Sequence, residues 1–268
     1  MKYIVKGFTA SMAAMVVAVF LMCSCGNKKN KSEAIEWNIE IGAQRLSYIS
    51  EAGKAMTVEW QRNDVMDIWD TKNACNIGRA RPTNTNTMKS VVRGVVPSGL
   101  SVGDTVELFL PPGDLDYSGQ NGSTLNIYSR YNYADGVFVV REVDEATHTV
   151  RTNDSIMALK QAVMGFRLVD DKGLAIPVDT LVISSASGKL LVKSHVGPAS
   201  ARYSDLVIAN GNADKSSPIY VAIRNKQQDA PDTYTLLAKT RMGRYTATFQ
   251  ANLLYGRTYS KTITMQKK

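Results

Sequence analysis

The chain has 268 residues, 44% of them hydrophobic and 21% charged, with a formal net charge of +8. That length supports two modest cores or one large one. The positive charge is spread among acids, with no arginine stripe and no aromatic ladder between basic residues, which argues against nucleic acid as a partner.

The chain opens as an export signal. Lys2 and Lys6 flank a short basic start, residues 8–22 form an apolar run of 15 residues, and Ser24-Cys25-Gly26 follows at once. Spanning a bilayer takes about 20 apolar residues, so this run is too short to do so comfortably. A small residue before a cysteine is where a lipoprotein signal peptidase cuts, making residues 1–24 the signal peptide and Cys25 a lipid-modified first residue. Cys23 is the rival acceptor, but it follows the bulky Met22; an ordinary secretory signal with incidental cysteines is the other alternative. Thioether-linked and amide-linked acyl chains together would hold the protein on a membrane without crossing it. Processing removes Lys2 and Lys6 and no acid, so the net charge falls by two, to +6. Residues 25–34 then form a lipidated linker, whose Lys28, Lys29 and Lys31 rest on anionic headgroups or serve as a soluble tether. Only Cys75 keeps a thiol, so neither a disulfide nor a cysteine metal site forms within one chain.

From Ile35 the pattern changes. Ile35, Trp37, Ile39 and Ile41 alternate with Glu36, Asn38 and Glu40, the period-two pattern of a half-buried strand. Further strands are expected over residues 56–60, 65–69, 90–96, 105–110, 136–143 and 147–152, with turn chemistry at Pro97-Ser98-Gly99, Pro111-Pro112-Gly113 and Asn121-Gly122. Residues 71–86, rich in Asn, Thr and Arg, read as a long loop. Residues 153–161 read as a short helical or irregular crossover, because Asp154 or Ser155 can cap a turn carrying Ile156, Met157 and Leu159. A second strand series follows over residues 162–169, 180–184, 189–194, 205–209, 219–224, 233–239, 244–250 and 258–266, at the spacing of an antiparallel sandwich. The expected class is therefore all-β, with domains at 35–153 and 154–268.

The run Glu59-Trp60-Gln61-Arg62-Asn63-Asp64-Val65-Met66-Asp67-Ile68-Trp69 resembles the fimbrillin-family signature of a tryptophan, a short turn ending in aspartate and an apolar strand, with Asn63 standing where the family usually has glycine. Three further stretches are similar and collinear: Asp116 to Gly122 with Tyr131-Asn132-Tyr133-Ala134, Val163 to Leu168 with Asp170-Asp171-Lys172-Gly173, and Gly256-Arg257-Thr258-Tyr259. The resemblance, to fimbrillin-like lipoproteins of the type V pilin superfamily from Gram-negative gut and oral anaerobes, covers about residues 35–268. It implies two tandem transthyretin-like antiparallel β-sandwich domains and export to the outer membrane. It also implies assembly with other fimbrial subunits by strand exchange, after a protease cuts at an arginine behind the first strand. In this chain that arginine would be Arg45, before Leu46, and the strand to be released and replaced would carry Ile35, Trp37, Ile39 and Ile41. The alternative for Arg45 is a solvated turn residue, in which case the lipid stays attached and the molecule is an anchor or a free-standing surface lipoprotein.

Chemistry is sparsely represented. His148 and His195 are the two imidazoles, and no H-E-x-x-H, G-x-S-x-G or phosphate-binding glycine loop is present, so no enzyme, cofactor or metal is expected. Asp170 and Asp171 beside Lys172-Gly173 read as a β-turn in preference to a calcium site. Trp37, Trp60 and Trp69 fall on expected strands in phase with apolar neighbours, as core residues do, with sugar stacking as the alternative. Tyr117, Tyr128, Tyr131 and Tyr133 lie in a Gly/Asn/Ser-rich region, where they either pack between domains or form a loop that binds a glycan or host protein. Asp104-Thr105-Val106, Asp154-Ser155-Ile156 and Asp179-Thr180-Leu181 match a loose O-glycosylation pattern at the frequency chance would give. The reading is a stalk, tip or anchor component of a fimbria, with a monomeric outer-membrane lipoprotein that binds glycan or host protein as the alternative.

Overall fold

A computed structural model describes residues 35–194, 201–225 and 230–268. The signal peptide, Cys25, the linker and His195 lie outside the described residues. The strands up to Leu159 are β1 (Glu36–Arg45), β2 (Tyr48–Ser50), β3 (Ala55–Met56), β4 (Met66–Asp70), β5 (Cys75–Pro82), β6 (Lys89–Pro97), β7 (Thr105–Leu110), β8 (Leu115–Asp116), β9 (Ala134–Asp144), β10 (Thr149–Thr152) and β11 (Ser155–Leu159). The helix described, α1 (Thr124–Arg130), lies between β8 and β9 and is capped by Ser123, whose hydroxyl accepts from Asn126 N.

Eight of these strands form one sheet in the order β10-β1-β11-β9-β7-β4-β5-β6, and the further pairing of β1 with β6 closes it on itself. β1 is antiparallel to β6 from Glu36↔Pro97 to Gln44↔Lys89, and parallel to β10 and then β11 on its other side. Closure removes free edges and directs alternate residues inward. Ile39, Ile41, Met66, Ile68, Val106, Leu108, Phe138 and Val140 are accordingly fully buried. Tight closure beside β1 depends on Gly94 of β6, where a Cβ would stand 2.3 Å from the Arg79 carbonyl oxygen of β5.

The remaining strands are β12 (Ala162–Val169), β13 (Thr180–Ser185), β14 (Leu191–Ser194), β15 (Arg202–Tyr203), β16 (Leu206–Ala209), β17 (Ile219–Ile223), β18 (Asp232–Thr240), β19 (Gly243–Ala251), β20 (Arg257–Thr264) and β21 (Gln266–Lys267). Together with β2, β3 and β8 they form two five-stranded sheets, β17-β12-β20-β2-β3 and β16-β13-β18-β19-β21, and a small β15-β14-β8 sheet. Phe166 of β12 meets Phe249 of β19 edge-on at 5.7 Å, joining the two larger sheets through an aromatic core.

The protein is nearly all β, as composition and alternation suggest. Its pairing is not antiparallel throughout: β1 runs parallel to β10 and β11, and β20 runs parallel to β12 and β2. Residues 75–82, inside the expected loop, form β5, and residues 155–159, expected as a crossover, form β11. The chain leaves the closed sheet after β11, between Leu159 and Ala162. It also leaves earlier: directly after β1 it passes to β2 and β3, which belong with β20, and returns with β4.

Candidate functional site

The first strand and its far end form the most unusual feature of the fold. Trp37, Ile39, Ile41 and Ala43 face inward from β1, exposed by 7% or less. Ile35, expected on this face, precedes the strand and is 56% exposed, because the ladder with β6 begins only at Glu36. Outward-facing Glu40 pairs with Arg93 of β6 at 2.8 Å and Arg151 of β10 at 3.2 Å, tying the outer face across both neighbours. Such exposed pairs contribute about 0.2–1 kcal/mol each, so the apolar inner face dominates the hold on β1.

The inward phase does not end on an apolar residue. Arg45, last in β1, is 1% exposed. Its backbone N donates to Met88 O at 2.8 Å, its guanidinium carbon lies 5.1 Å from the Trp60 ring centre, and Nη1 donates to Asp64 Oδ2 at 3.3 Å. Nε and Nη2 have no hydrogen-bond partner. Burial pushes the Arg45 pKa down while Asp64 opposes that shift; burial pushes the Asp64 carboxyl up against the Gln61 amide and Arg45, which favour its charge. Arg45 is thus a sealed strand residue and not a solvated turn residue.

The cradle around Arg45 is built mostly without β1. Trp60 N donates to Thr87 O and Asn86 N to Trp60 O, at 2.9 and 2.8 Å. Asp64 Oδ2 accepts from Gln61 N at 2.8 Å, and Asp64 N donates to Gln61 O at 3.0 Å, closing a turn. One link runs to β1, from Trp60 Nε1 to the Ala43 carbonyl at 3.3 Å. Beyond Arg45, Leu46 is half-buried, and Tyr48 enters β2 with its hydroxyl bonded to Gln161 Nε2.

Tyr117, Tyr131 and Tyr133 are buried and Tyr128 is half-buried. The Tyr117 hydroxyl donates to Gln161 Oε1 at 3.3 Å, Tyr131 bonds to Ser118 O at 2.5 Å, and Tyr133 bonds to Asp116 O at 2.7 Å while accepting from Asp116 N at 2.9 Å. Burial pushes the Tyr128 and Tyr133 hydroxyls up to about 12. The buried three turn no aromatic face to solvent; with Tyr48 and Gln161 they pack the junction between the closed sheet and the sheets that follow. Gln120 deepens that junction, its side chain exchanging hydrogen bonds with Ala222 of β17 at 2.9 and 2.7 Å, as a strand backbone would.

Trp60 is fully buried, and Trp69 meets Phe109 edge-on at 6.2 Å. His148, in a turn with φ of 48°, lies against Trp37 at 5.2 Å. The Asp170 carboxylate is taken up by the amides of Lys172 and Leu174, at 2.9 and 2.8 Å, as a turn requires. Among the described residues no group of His, Cys, Asp and Glu could hold a metal ion, and no helix is long and apolar enough to cross a membrane.

No protein-family model matches the chain, and no curated protein matches it. Solved structures resemble it distantly. A candidate cell-adhesion protein of Bacteroides ovatus is 17% identical, covering 87% of this chain and 96% of its own, with a TM-score of 0.47. A candidate polysaccharide-binding protein of Bacteroides thetaiotaomicron is 11% identical, covering 86% and 92%, with a TM-score of 0.46. The shaft pilin SpaA of Lactobacillus rhamnosus is 11% identical, covering 87% and 98%, with a TM-score of 0.35.

Proposed function

We propose that this chain is a surface lipoprotein, exported by residues 1–24, anchored through Cys25 to the outer membrane, and built to join an adhesive fibre by giving up β1 and accepting a strand from another subunit. The observation that carries this reading is the position of β1: it is the first described strand, yet it fills a complete place in a closed sheet, between β6 on one side and β10 and β11 on the other. Withdrawing it uncovers an apolar groove with unpaired backbone on both banks, the template for β-augmentation. Trp37, Ile39 and Ile41 each contribute roughly 1.5–3 kcal/mol of burial. Together that is a large part of the ~5–15 kcal/mol that holds a domain folded, so the groove must be refilled as it is emptied. Cleavage between Arg45 and Leu46 would part β1, still joined to the lipid on Cys25, from residues 46–268, which would remain as the subunit body.

The test uses the whole chain. A specific protease site is placed in the exposed Glu51–Lys54 turn between β2 and β3, and the folded protein is nicked there. A labelled fragment spanning residues 35–50 should then replace its native counterpart while Trp60 and Trp69 keep their folded emission. Exchange only under conditions that unfold the whole closed sheet would refute strand exchange.

A further inference from the structure

Alternation alone cannot set the register of an incoming strand. A slip by one residue turns the apolar face outward, but a slip by two restores it. Trp37, Ile39 and Ile41 are three large apolar residues in phase, so a groove that selects only for apolar residues would accept several registers. The groove is uniform except at its far end. There the Trp60 backbone is held by Thr87 and Asn86 and the Asp64 carboxylate by the Gln61 amide, none of them on β1, while the indole itself gives one bond to the Ala43 carbonyl.

Building on the strand-exchange reading, we propose that Trp60 and Asp64 form a preformed cation pocket that selects the incoming strand and fixes its register. The occupant is a strand of another chain with alternating large apolar residues and an arginine or lysine at the place now held by Arg45. Charge complementarity requires it. Asp64 is 19% exposed and its ion-pair partner is the Arg45 guanidinium, so an apolar residue there leaves a half-buried carboxylate with no counter-charge. A strand slipped by two residues brings its cation to the place now held by Ala43, which is 3% exposed, or carries it out of the groove. A single buried charged position is a known device for register, as in coiled coils. The pocket does not demand a guanidinium: Nε and Nη2 of Arg45 are unpartnered, so the single contact to Asp64 suits a lysine ammonium as well.

The nicked chain gives the test. Labelled fragments spanning residues 35–50 compete for the groove as the native sequence and as Arg45→Lys and Arg45→Leu. The native and Arg45→Lys fragments should seat within a few-fold of one another, and Arg45→Leu about a hundredfold more weakly, the scale of stripping one partner from a buried pair. In a chain carrying Asp64→Asn, which keeps an acceptor for the Gln61 amide, the preference for a cation should shrink to a few-fold. Equal seating of native and Arg45→Leu, or an undiminished preference in the Asp64→Asn chain, overturns the cation pocket while leaving strand exchange intact. Failure of the native fragment to exchange overturns strand exchange itself, and the pocket's occupant with it.

Discussion

Two carboxylates, half-buried Asp64 beside the closed sheet and buried Asp232 at the start of β18, are held in opposite ways. Asp232 is 7% exposed and has no cation partner among the described residues; its Oδ2 accepts from Ser185 Oγ, from Ser187 Oγ at 2.7 Å and from Asn225 Nδ2 at 2.7 Å, and its Oδ1 from Thr233 N at 2.8 Å. Burial works against its charge, but the serine and asparagine bonds outweigh it and hold the carboxyl below its ordinary value. Asp64 has a cation, yet fewer bonds, and its carboxyl is pushed up. A carboxylate saturated by neutral donors is permanent architecture, because every donor is part of the same fold. A carboxylate whose charge is met by one side chain on one strand depends on that strand, and the strand concerned is β1, the first described.

The sharpest way to break the comparison is at Trp60. It is fully buried, stacks on Arg45 and bonds to the Ala43 carbonyl, so Trp60→Ala removes an aromatic core residue and half the cradle of the buried cation. The expected loss is about 3–5 kcal/mol, seen in chemical denaturation. Hydrogen exchange should show β1, β6 and β11 loosening before β13 and β18. Uniform loosening of both regions would mean that the two clusters share one cooperative unit.

Removing the saturated cluster should cost less. Asp232→Ala leaves the Asn225 amide and the Ser185 and Ser187 hydroxyls without their common acceptor, at roughly 1–3 kcal/mol for the stranded groups. Here the β13 and β18 amides should lose protection while those of β1 keep theirs. Loss of protection in β1 would show that the junction formed by Tyr48, Tyr117, Gln161 and Gln120 couples the regions tightly.

Most of the strands are legible from alternation, and the residues 105–110 and 162–169 match β7 and β12 to the residue. β5 is hidden by its composition: Cys75 and Ala80 are its only buried residues, and Asn76, Gly78, Arg79, Arg81 and Pro82 fill positions that reach solvent. β11 imitates a capped helix, because Asp154-Ser155 is cap chemistry; the buried pair Met157 and Leu159 is the period-two signal that outweighs it once β1 and β9 lie alongside. Helix α1 is seven residues long, too short for a periodic face, and Ser123 is its chief sequence mark. At the site, Arg45 lies in phase with Trp37, Ile39 and Ile41 when the alternation is carried two steps past Ile41, so its burial is encoded in parity. Its partner Asp64 is 19 residues away with no periodic relation to β1, and only the fold brings them together.

Acid should separate the two clusters most finely, because their carboxyls shift in opposite directions. Asp64 is raised, so its contribution to stability is full below the ordinary aspartate value and is lost as pH rises through the raised one. Asp232 is lowered, so its contribution is present above the ordinary value and is lost as pH falls through the depressed one. Moving from neutral pH toward the ordinary carboxylate range should therefore favour the closed sheet slightly, and only stronger acid should weaken the β13–β18 region. Glu107 of β7, raised by burial and then by Asp135, adds to the first effect, so Asp64→Asn is needed to isolate the share of Asp64. Trp37, Trp60 and Trp69 all precede β5, which lets tryptophan emission report the first transition while exchange at β18 amides reports the second. Asp64→Asn should remove part of the mild-acid gain and leave the strong-acid loss, and Asp232→Asn should do the reverse. If either substitution changes both limbs equally, the two charges are not independent, and the contrast between a permanent and a releasable buried charge does not hold for this fold.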